Sequence, residues 1–451
     1  MSRLYYWATV CVAVALFTCS QNVFSAENTD LISLKNEIAE MRKLYEQKIQ
    51  LLEKKVTSLQ SQQEELKKQE PAAQVARAPA TSQRSIGSND FNPSISAILQ
   101  GKYNSFSKRN SEFSGFAVGE EGERSSEGFT LDETEINLAA SIDDKFRGSS
   151  TIALVQEDGT QVELEEAYIE TIGLPFGISA KAGRFFASLG YLNEHHSHAD
   201  DFTDRPLPYR VFLNKSYNDD GVQATWIAPT DLYTELGFGV FRGGDFPGGG
   251  EGDSNVGAWT VFARIGGDMG DNSAWRMGLS TLQVDDLERS SNEDELEFAG
   301  DNKMYIVDGR YIWAPTGNNR EKELILQAEY MQRDEDGIYD DLAAGSGPVS
   351  YDEDQSGWYA QGIYKFHPQW RVGARYSHLN PGDVPTALVG TVLDDQNHDP
   401  ESLSLMADWT NSEFGRLRLQ YNMEELADDN RDHQITLQYI MSMGAHAAHS
   451  F

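Results

Sequence analysis

From Phe91 onward, the chain consists of short segments in which apolar and polar residues alternate one by one. The segment RLRLQYNM (416–423) places its leucines, tyrosine and methionine on one face, and HQITLQYIM (433–441) repeats that pattern. This alternation is typical of β-strands with one apolar face. Because a soluble sandwich shows the same alternation, the connections between strands must decide the architecture.

Short and long connections alternate along the chain. The short ones fall near residues 143–145, 173–177, 228–231, 266–273, 314–322, 367–369 and 410–415. The intervening ones are mostly longer, acidic and glycine-rich, at 243–256, 285–303, 334–355 and 380–400, with a short exception near 157–161. About sixteen strands fit between them, with both ends on the side of the short turns. The sequence therefore predicts an all-β transmembrane fold: an antiparallel β-barrel of about 16 strands over residues 91–451.

Aromatic residues favour the membrane barrel over a soluble β core, because they cluster at the predicted strand ends. Those beside the short turns are Trp226, Tyr233, Trp275, Trp313, Phe366, Trp370, Trp409 and Phe414. Trp259 and Trp358 follow long connections and would belong to the opposite girdle. Aromatic girdles of this kind mark the two interfaces of a bilayer.

The amino terminus predicts export. Residues 1–25 combine Arg3, an apolar run from Ala8 to Phe17 and small residues near the end, as in a secretory signal peptide. Both cysteines, Cys11 and Cys19, lie within it, so the mature chain has none; a lipoprotein signal at Cys19 is the alternative. The formal net charge of −34 argues against nucleic acid as a partner.

Residues 27–69 predict a periplasmic coiled coil. Apolar or aromatic residues recur every seven positions at Leu31, Ile38, Tyr45, Leu52, Leu59 and Leu66. The alternative is a single amphipathic helix lying on another domain. Residues 70–90 are rich in proline, alanine and serine and predict a flexible linker.

One long connection carries an unusual set of polar residues. Between predicted strands ending near Phe186 and beginning near Asp220, the loop 187–219 contains three of the nine histidines. Its candidate site residues are Glu194, His195, His196, His198, Asp200, Asp201 and Asp204. Imidazole and carboxylate groups suit zinc or a similar divalent ion, so His195, His196 and His198 are candidate metal ligands. A polar, pH-sensitive constriction without metal is the alternative.

The 91–451 region resembles outer-membrane porins, most closely in layout the phosphate-selective porin O and P group. The blocks GRFFASLGYLNEHHSHADDF and HQITLQYIMSMGAHAAHSF are similar to those of poorly characterised porin-like proteins, some described as zinc-regulated. The carboxy-terminal Phe451 resembles the barrel insertion signal, and the coiled coil resembles the sucrose porin arrangement. The acidic loops and the lack of a lysine ladder depart from phosphate-selective porins. The resemblance implies that the third outer loop, here 187–219, folds into the lumen and narrows it.

Six arginines are predicted to line the lumen by strand parity: Arg276, Arg310, Arg371, Arg375, Arg416 and Arg418. Arginines facing an acidic loop would create a transverse field across the pore, as the resemblance to general porins implies. Alternatively, they balance lumen acids such as Glu133, Glu135 and Glu329.

Taken together, these features predict an outer-membrane porin of a Gram-negative bacterium that allows passive diffusion of small solutes or ions, with a preference for cations. We expect a homotrimer, formed through barrel and coiled coil and surrounded by outer-membrane lipid, with the coiled coil in the periplasm. Alternatives are a divalent-metal (zinc) uptake channel and a barrel-anchored envelope tether. A receptor with a plug domain would need about 22 strands. No GxSxG, HExxH or phosphate-loop motif occurs, so we expect no enzyme and no cofactor beyond transient zinc.

Overall fold

The computed structural model describes residues 93–109, 111–131, 133–157, 159–249, 256–412, 414–428 and 430–444. The predicted signal peptide, coiled coil and linker, and the carboxy-terminal Phe451, lie outside the described residues. None of the described helices is long and apolar enough to cross a membrane.

The described residues form seventeen strands and one α-helix, together with five short 3-10 turns. The strands are β1 (Ser94–Phe106), β2 (Gly128–Leu131), β3 (Thr134–Ser141), β4 (Phe146–Glu157), β5 (Gly159–Thr171), β6 (Ile178–Phe186), β7 (Asn218–Ile227), β8 (Tyr233–Phe241), β9 (Ala258–Asp268), β10 (Ser273–Ser291), β11 (Leu296–Trp313), β12 (Glu323–Asp341), β13 (Val349–His367), β14 (Trp370–Asn380), β15 (Glu401–Ser412), β16 (Gly415–Glu425) and β17 (Arg431–Gly444). The helix α1 (Leu207–Leu213) lies between β6 and β7. The 3-10 turns are Glu120–Gly122, Pro175–Gly177, Leu192–Glu194, Ser197–Ala199 and Thr386–Leu388.

The sheet closes on itself. Each strand from β3 to β17 pairs antiparallel with the next, and β1 pairs with β17 across the seam. On its other side β1 pairs with both β2 and β3, which therefore share one position. Seventeen strands thus occupy 16 positions, and the predicted antiparallel barrel of about 16 strands is confirmed.

The barrel has its polar residues inside and its apolar residues outside. On β17, Ile435, Leu437 and Tyr439 are 51%, 43% and 41% exposed. The residues between them, such as Thr436 and Gln438, are buried. An apolar outer surface around a polar interior is the arrangement that a bilayer stabilises. The fold is that of a transmembrane β-barrel.

The longer connections lie on one side of the barrel, here called the outer side. They are residues 107–127, 187–217, 242–257 and 381–400. Two other segments expected to be loops, 285–303 and 334–355, are mostly strand, because β10–β13 continue through them and turn only at 292–295 and 342–348. Buried aromatic residues account for the difference: the Tyr339 ring packs against Phe298 and Tyr351, with ring centroids 4.6 and 4.9 Å apart, inside the barrel.

These extended strands make the barrel asymmetric. Strands β10, β12 and β13 each have 19 residues, whereas β3 has 8 and β6 has 9. A transmembrane strand needs about 9–11 residues, so the longer strands extend well beyond the bilayer. We call β10–β13 the high wall and β3–β6 the low wall.

Candidate functional site

The connection between β6 and β7, residues 187–217, is the third on the outer side, after those of β1–β2 and β4–β5. It leaves β6 at Phe186, as the sequence predicts, and β7 begins at Asn218, so residues 218–219 of the predicted loop are strand. It contains two 3-10 turns, Leu192–Glu194 and Ser197–Ala199, followed by α1. We call this segment the third outer connection.

The third outer connection lies inside the lumen, since its backbone bonds to inward side chains of distant strands. Gly190 N donates to Ser280 Oγ on β10 at 3.0 Å, and Tyr191 N donates to Glu329 Oε2 on β12 at 3.0 Å. On the opposite side of the barrel, Thr203 N donates to Gln420 Oε1 on β16 at 2.7 Å. The segment therefore spans the barrel from the high wall to β16.

Helix α1 fixes the position of the segment through apolar contacts. All seven of its residues are buried, and Leu207, Tyr209 and Phe212 belong to the main hydrophobic cluster. Phe212 packs edge-on against Phe116 of the first outer connection, with ring centroids 6.0 Å apart. The same cluster includes residues of β10–β13 and of the connection 381–400. The largest apolar cluster inside the barrel therefore involves the outer connections and the high wall.

The acidic residues of the segment bind wall arginines directly. Asp201 Oδ1 accepts from Arg371 Nη1 at 2.7 Å, and Asp204 Oδ1 accepts from Arg375 Nη2 at 2.7 Å. Glu194 contacts Arg264 Nη1 on β9 at 2.9 Å. The loop acids, which were predicted to face wall arginines, therefore form close ion pairs with them.

These pairs shift the pKa values of the acids in different directions. Burial alone would raise the pKa of Asp201, but Arg371, Arg310, Arg418 and Arg416 together outweigh burial and hold the pKa below its ordinary value. At Glu194, burial is likewise outweighed by Arg264, Ser188 and Arg276 together, so the pKa of Glu194 is lowered. Burial dominates at Asp200, whose pKa rises to about 6 although Arg205 Nε lies 2.8 Å away.

The structure places all six predicted arginines inward, in three groups. Arg371 and Arg375 bind the loop acids, as above. Arg276 and Arg310 lie over the ring of Tyr191, at 4.9 and 4.3 Å from its centroid. Arg416 and Arg418 lie 4.0 and 3.7 Å from Asp408 on β15, so they also balance a wall acid. The transverse field across the pore stays a prediction.

The three histidines of the segment lie in two different places. His195 points away from the low wall: its Nδ1 lies 2.8 Å from Tyr191 O, and its ring stacks on Tyr191 at 4.7 Å. Burial lowers the pKa of His195. His196 and His198 lie together at the low wall, with ring centroids 5.5 Å apart.

Carboxylates surround this histidine pair. Nδ1 of His196 lies 3.1 Å from Glu165 Oε2 and 3.3 Å from Glu135 Oε2, and its Nε2 lies 3.0 Å from Glu166 Oε2. Nδ1 of His198 lies 2.6 Å from Glu135 Oε1. Burial opposes the charged form, but these carboxylates raise the pKa of His196 well above its ordinary value. Burial and the neighbouring His196 lower the pKa of His198 to about 3.

Two irregularities in the low wall bring these carboxylates inside. In the β4–β5 pair, Thr151 faces Glu166 and Ile152 faces Leu164, so Glu165 is the extra residue of a β-bulge. A bulge redirects side chains, and here both Glu165 and Glu166 reach His196. Between β2 and β3 the register against β1 changes by one residue, which leaves Leu131 facing outward and Glu135 buried.

Two cavities lie beside the third outer connection. The larger, about 500 Å³, is bordered by the low wall, and its charged lining is Glu121, Glu133, Glu163, Glu165, Asp220, Asp245 and Arg184. The smaller, about 90 Å³, has a mixed lining that includes Lys102, Arg124, Arg205, Arg210 and Lys215 alongside Glu123, Glu133, Asp200 and Asp204. Glu133 lines both. We call them the acidic cavity and the mixed cavity.

The sequence indicated Glu133, Glu135 and the six arginines as lumen residues, the arginines by strand parity. It missed Glu165 and Glu166, because strict alternation allows only one of two consecutive residues to face inward. It also missed Arg264, whose pairing with Glu194 needs the loop to cross the barrel. A run of acids in an otherwise alternating strand (QVELEEAY, 161–168) is the signal that could have indicated the bulge.

No family model matches the chain. Solved structures similar to it include OmpT, an outer membrane protein of Vibrio cholerae, at 10% identity over 77% of this chain and 98% of that chain, with a TM-score of 0.48. The outer membrane channel DcaP of Acinetobacter baumannii has 10% identity over 77% and 96%, with a TM-score of 0.49. An anion-selective porin from Comamonas acidovorans has 9% identity over 77% and 98%, also at 0.49.

A relative at the level of sequence is an uncharacterized protein of Aquifex aeolicus, 31% identical over 391 residues, which covers 80% of each chain. The assignment of the barrel rests on this chain's own strand pairing and burial, described above. By sequence, the chain belongs to the same family as the Aquifex aeolicus protein.

Proposed function

We propose that the protein is an outer-membrane channel for passive diffusion of small solutes, with the third outer connection as its constriction. The observation that carries this proposal is the position of residues 187–217 inside a closed, polar barrel, where they contact β3, β5, β9, β10, β12, β14 and β16. Such a segment reduces the cross-section of the lumen that a solute could use. A rigid constriction selects solutes by size and charge.

The acidic cavity supports a preference for cations. Its charged lining among the described residues consists of six carboxylates (Glu121, Glu133, Glu163, Glu165, Asp220 and Asp245) and one guanidinium, that of Arg184. A cleft lined mostly by one sign of charge concentrates the opposite ion. The Debye length is about 10 Å at 0.1 M salt, so the preference should weaken as salt rises.

The mixed cavity suggests where that preference ends. Glu133 borders both cavities, and beyond it lie the basic residues of the mixed cavity. A cation leaving the acidic cavity would therefore pass Glu133 before it meets the basic residues of the mixed cavity. We infer that solutes move along the low wall, where these cavities lie, and that the tightly packed high wall contributes stability.

The test is the reversal potential of the purified protein in planar bilayers across a KCl gradient at low salt. We expect cation selectivity that falls in the variant Glu163→Gln/Asp220→Asn/Asp245→Asn. A matched variant removes three exposed acids on the short-turn side, Asp231→Asn/Asp268→Asn/Asp271→Asn, and should change selectivity less. Anion selectivity of the wild type would overturn the cation preference. Absence of conductance would remove the channel and favour a barrel that only fixes the chain in the envelope.

We also propose that the protein forms homotrimers through its barrel and its predicted coiled coil. Support comes from the apolar sevenfold series Leu31–Leu66, which needs partner helices to cover it. Chemical cross-linking in mild detergent should give a trimer. The variant Leu52→Asp/Leu59→Asp should loosen the amino-terminal module without unfolding the barrel, and a monomeric wild type would contradict the proposal.

A further inference from the structure

We propose that Glu135, His196 and His198 form a binding site for a divalent transition-metal ion of the zinc class, with Glu133 and Glu165 as adjoining carboxylates. This site goes beyond the proposed diffusion channel and does not require the barrel to conduct. It also differs from the three-histidine set expected from the sequence, because His195 lies elsewhere.

The geometry of the donor atoms supports the site. One donor atom from each of Glu135, His196 and His198 lies within 4.8 Å of the others, and all three residues are buried. Carboxylate oxygens of a second set, Glu133, Glu135 and Glu165, also lie within 4.8 Å of one another, and Glu135 belongs to both sets. Ligand atoms of a tetrahedral zinc ion, each ~2.1 Å from the metal, lie ~3.4 Å apart. The separations of 3.1 and 3.3 Å from His196 Nδ1 to the Glu165 and Glu135 carboxylates are close to that value.

The identity of the donors narrows the class of ion. Two imidazoles and a carboxylate are borderline ligands that suit zinc, and also cobalt, nickel and copper, better than calcium or magnesium, which prefer oxygen alone. The second nitrogen of His196 lies 3.0 Å from Glu166 Oε2. A carboxylate that orients a metal-bound imidazole through its other nitrogen is the usual outer partner of such a ligand.

The negative charge of the cluster also favours a bound dication. Four carboxylates, those of Glu133, Glu135, Glu165 and Glu166, lie around two imidazoles in a largely buried site. Buried charges require close compensation, and a dication supplies two positive charges at the centre of the cluster. An entry path exists, because Glu133 and Glu165 also line the acidic cavity.

A bound ion would join two parts of the fold. Glu135 is on β3 and Glu165 on β5, whereas both histidines belong to the third outer connection. Occupancy would therefore fix the connection against the low wall. In a conducting barrel this would narrow the passage along that wall, so the ion would reduce conductance and not only bind.

The experiment measures binding of Zn²⁺ to the full chain, purified in detergent and treated with chelator, by isothermal titration calorimetry at pH 7.5. We expect about one saturable Zn²⁺ per chain. His198→Ala and Glu135→Gln should each weaken binding by at least about tenfold. His195→Ala is the matched control, since it removes the neighbouring imidazole outside the site, and should retain wild-type affinity.

Three results would overturn the assignment: no saturable binding to the wild type, undiminished binding to His198→Ala, or an equal loss in His195→Ala. Equal affinity for Ca²⁺ and Zn²⁺ would indicate a carboxylate site without histidine ligands and would also overturn it. If the variants do not fold, Co²⁺ added to the wild type provides the second measurement. An intense visible absorption band that Zn²⁺ removes would support the four-coordinate site, and its absence would overturn the assignment. Because binding is measured without conduction, a failed channel leaves this test unaffected.

Discussion

Tyr209, on the helix of the third outer connection, donates a 2.8 Å hydrogen bond to Glu329 Oε2 on β12. The same carboxylate accepts from Tyr191 N at 3.0 Å and from the Tyr359 hydroxyl on the neighbouring strand. All three donors are bound to one buried acid, whose charge would otherwise be costly inside the barrel. Glu329 therefore couples the position of the connection to the high wall.

Removing one of these donors should loosen the connection. Tyr209→Phe keeps the ring in the apolar core but loses a hydrogen bond to a charged group, which contributes about 1.5–3 kcal/mol. We expect faster tryptic cleavage after Arg210 or Lys215, since the bond after Arg205 precedes Pro206 and resists trypsin. Tyr311→Phe is the matched control, because its hydroxyl bonds to the neutral Ser273 Oγ at the other end of the barrel. Equal cleavage rates in both variants would contradict the role of Glu329.

The ion pair between Asp204 and Arg375 gives a second prediction. Asp204→Ala would leave Arg375, which is almost fully buried, without its nearest counter-charge, a change that costs about 3–5 kcal/mol. We expect larger and noisier single-channel currents, because the connection would leave its position more often. The double variant Asp204→Ala/Arg375→Met removes both charges and should restore part of the lost stability. Unchanged currents in Asp204→Ala would show that this pair does not hold the constriction.

Gly190 allows the connection to enter the lumen. Its φ is +57°, and a Cβ there would overlap Glu329 Oε2 and the Tyr209 hydroxyl. Gly190→Ala should therefore displace the carboxylate from its donors and expose the connection to protease. Gly345→Ala is the control: φ is +66°, but nothing lies within 4 Å of the added carbon, so only backbone strain of about 1–2 kcal/mol remains. Similar protease sensitivity in the two variants would assign the effect to strain alone.

The architecture could be predicted from sequence because its determinants are local. Period-two alternation sets which residues face the bilayer, and the connection lengths set the strand count. The alternation and the connection lengths can both be obtained from the sequence without knowledge of tertiary contacts. The same reasoning located Arg371 and Arg375 in the lumen and identified the third outer connection, since parity and order along the chain were sufficient.

The details of the site could not be predicted because they depend on departures from regularity. One bulge brings Glu165 and Glu166 to the same histidine. Within the sequence His195-His196-Ser197-His198, nothing indicates that His195 turns away to stack on Tyr191. Such choices are made by tertiary contacts between segments more than a hundred residues apart, as with Tyr191 and Glu329.

The acidic cavity should respond to pH through Asp245, which lies in the outer connection between β8 and β9. Burial, followed by the charges of Asp219 and Asp220, raises its pKa from 3.8 to about 6, although Arg184 opposes the shift. Because the folded protein binds this proton more tightly than the unfolded chain, the stability cost of the charged carboxylate is fully present above pH 6. That cost is relieved as pH falls from about 6 to 3.8.

The same protonation removes one negative charge from the acidic cavity. Cation selectivity, measured as the reversal potential at low salt, should therefore decline between pH 7.5 and pH 5. In Asp245→Asn the selectivity at pH 7.5 should already be reduced, and its change near pH 6 should be smaller than in the wild type. Asp268→Asn, an exposed acid at the end of β9, serves as the control and should keep the wild-type pH profile. A profile unchanged by Asp245→Asn would show that another group titrates in this range.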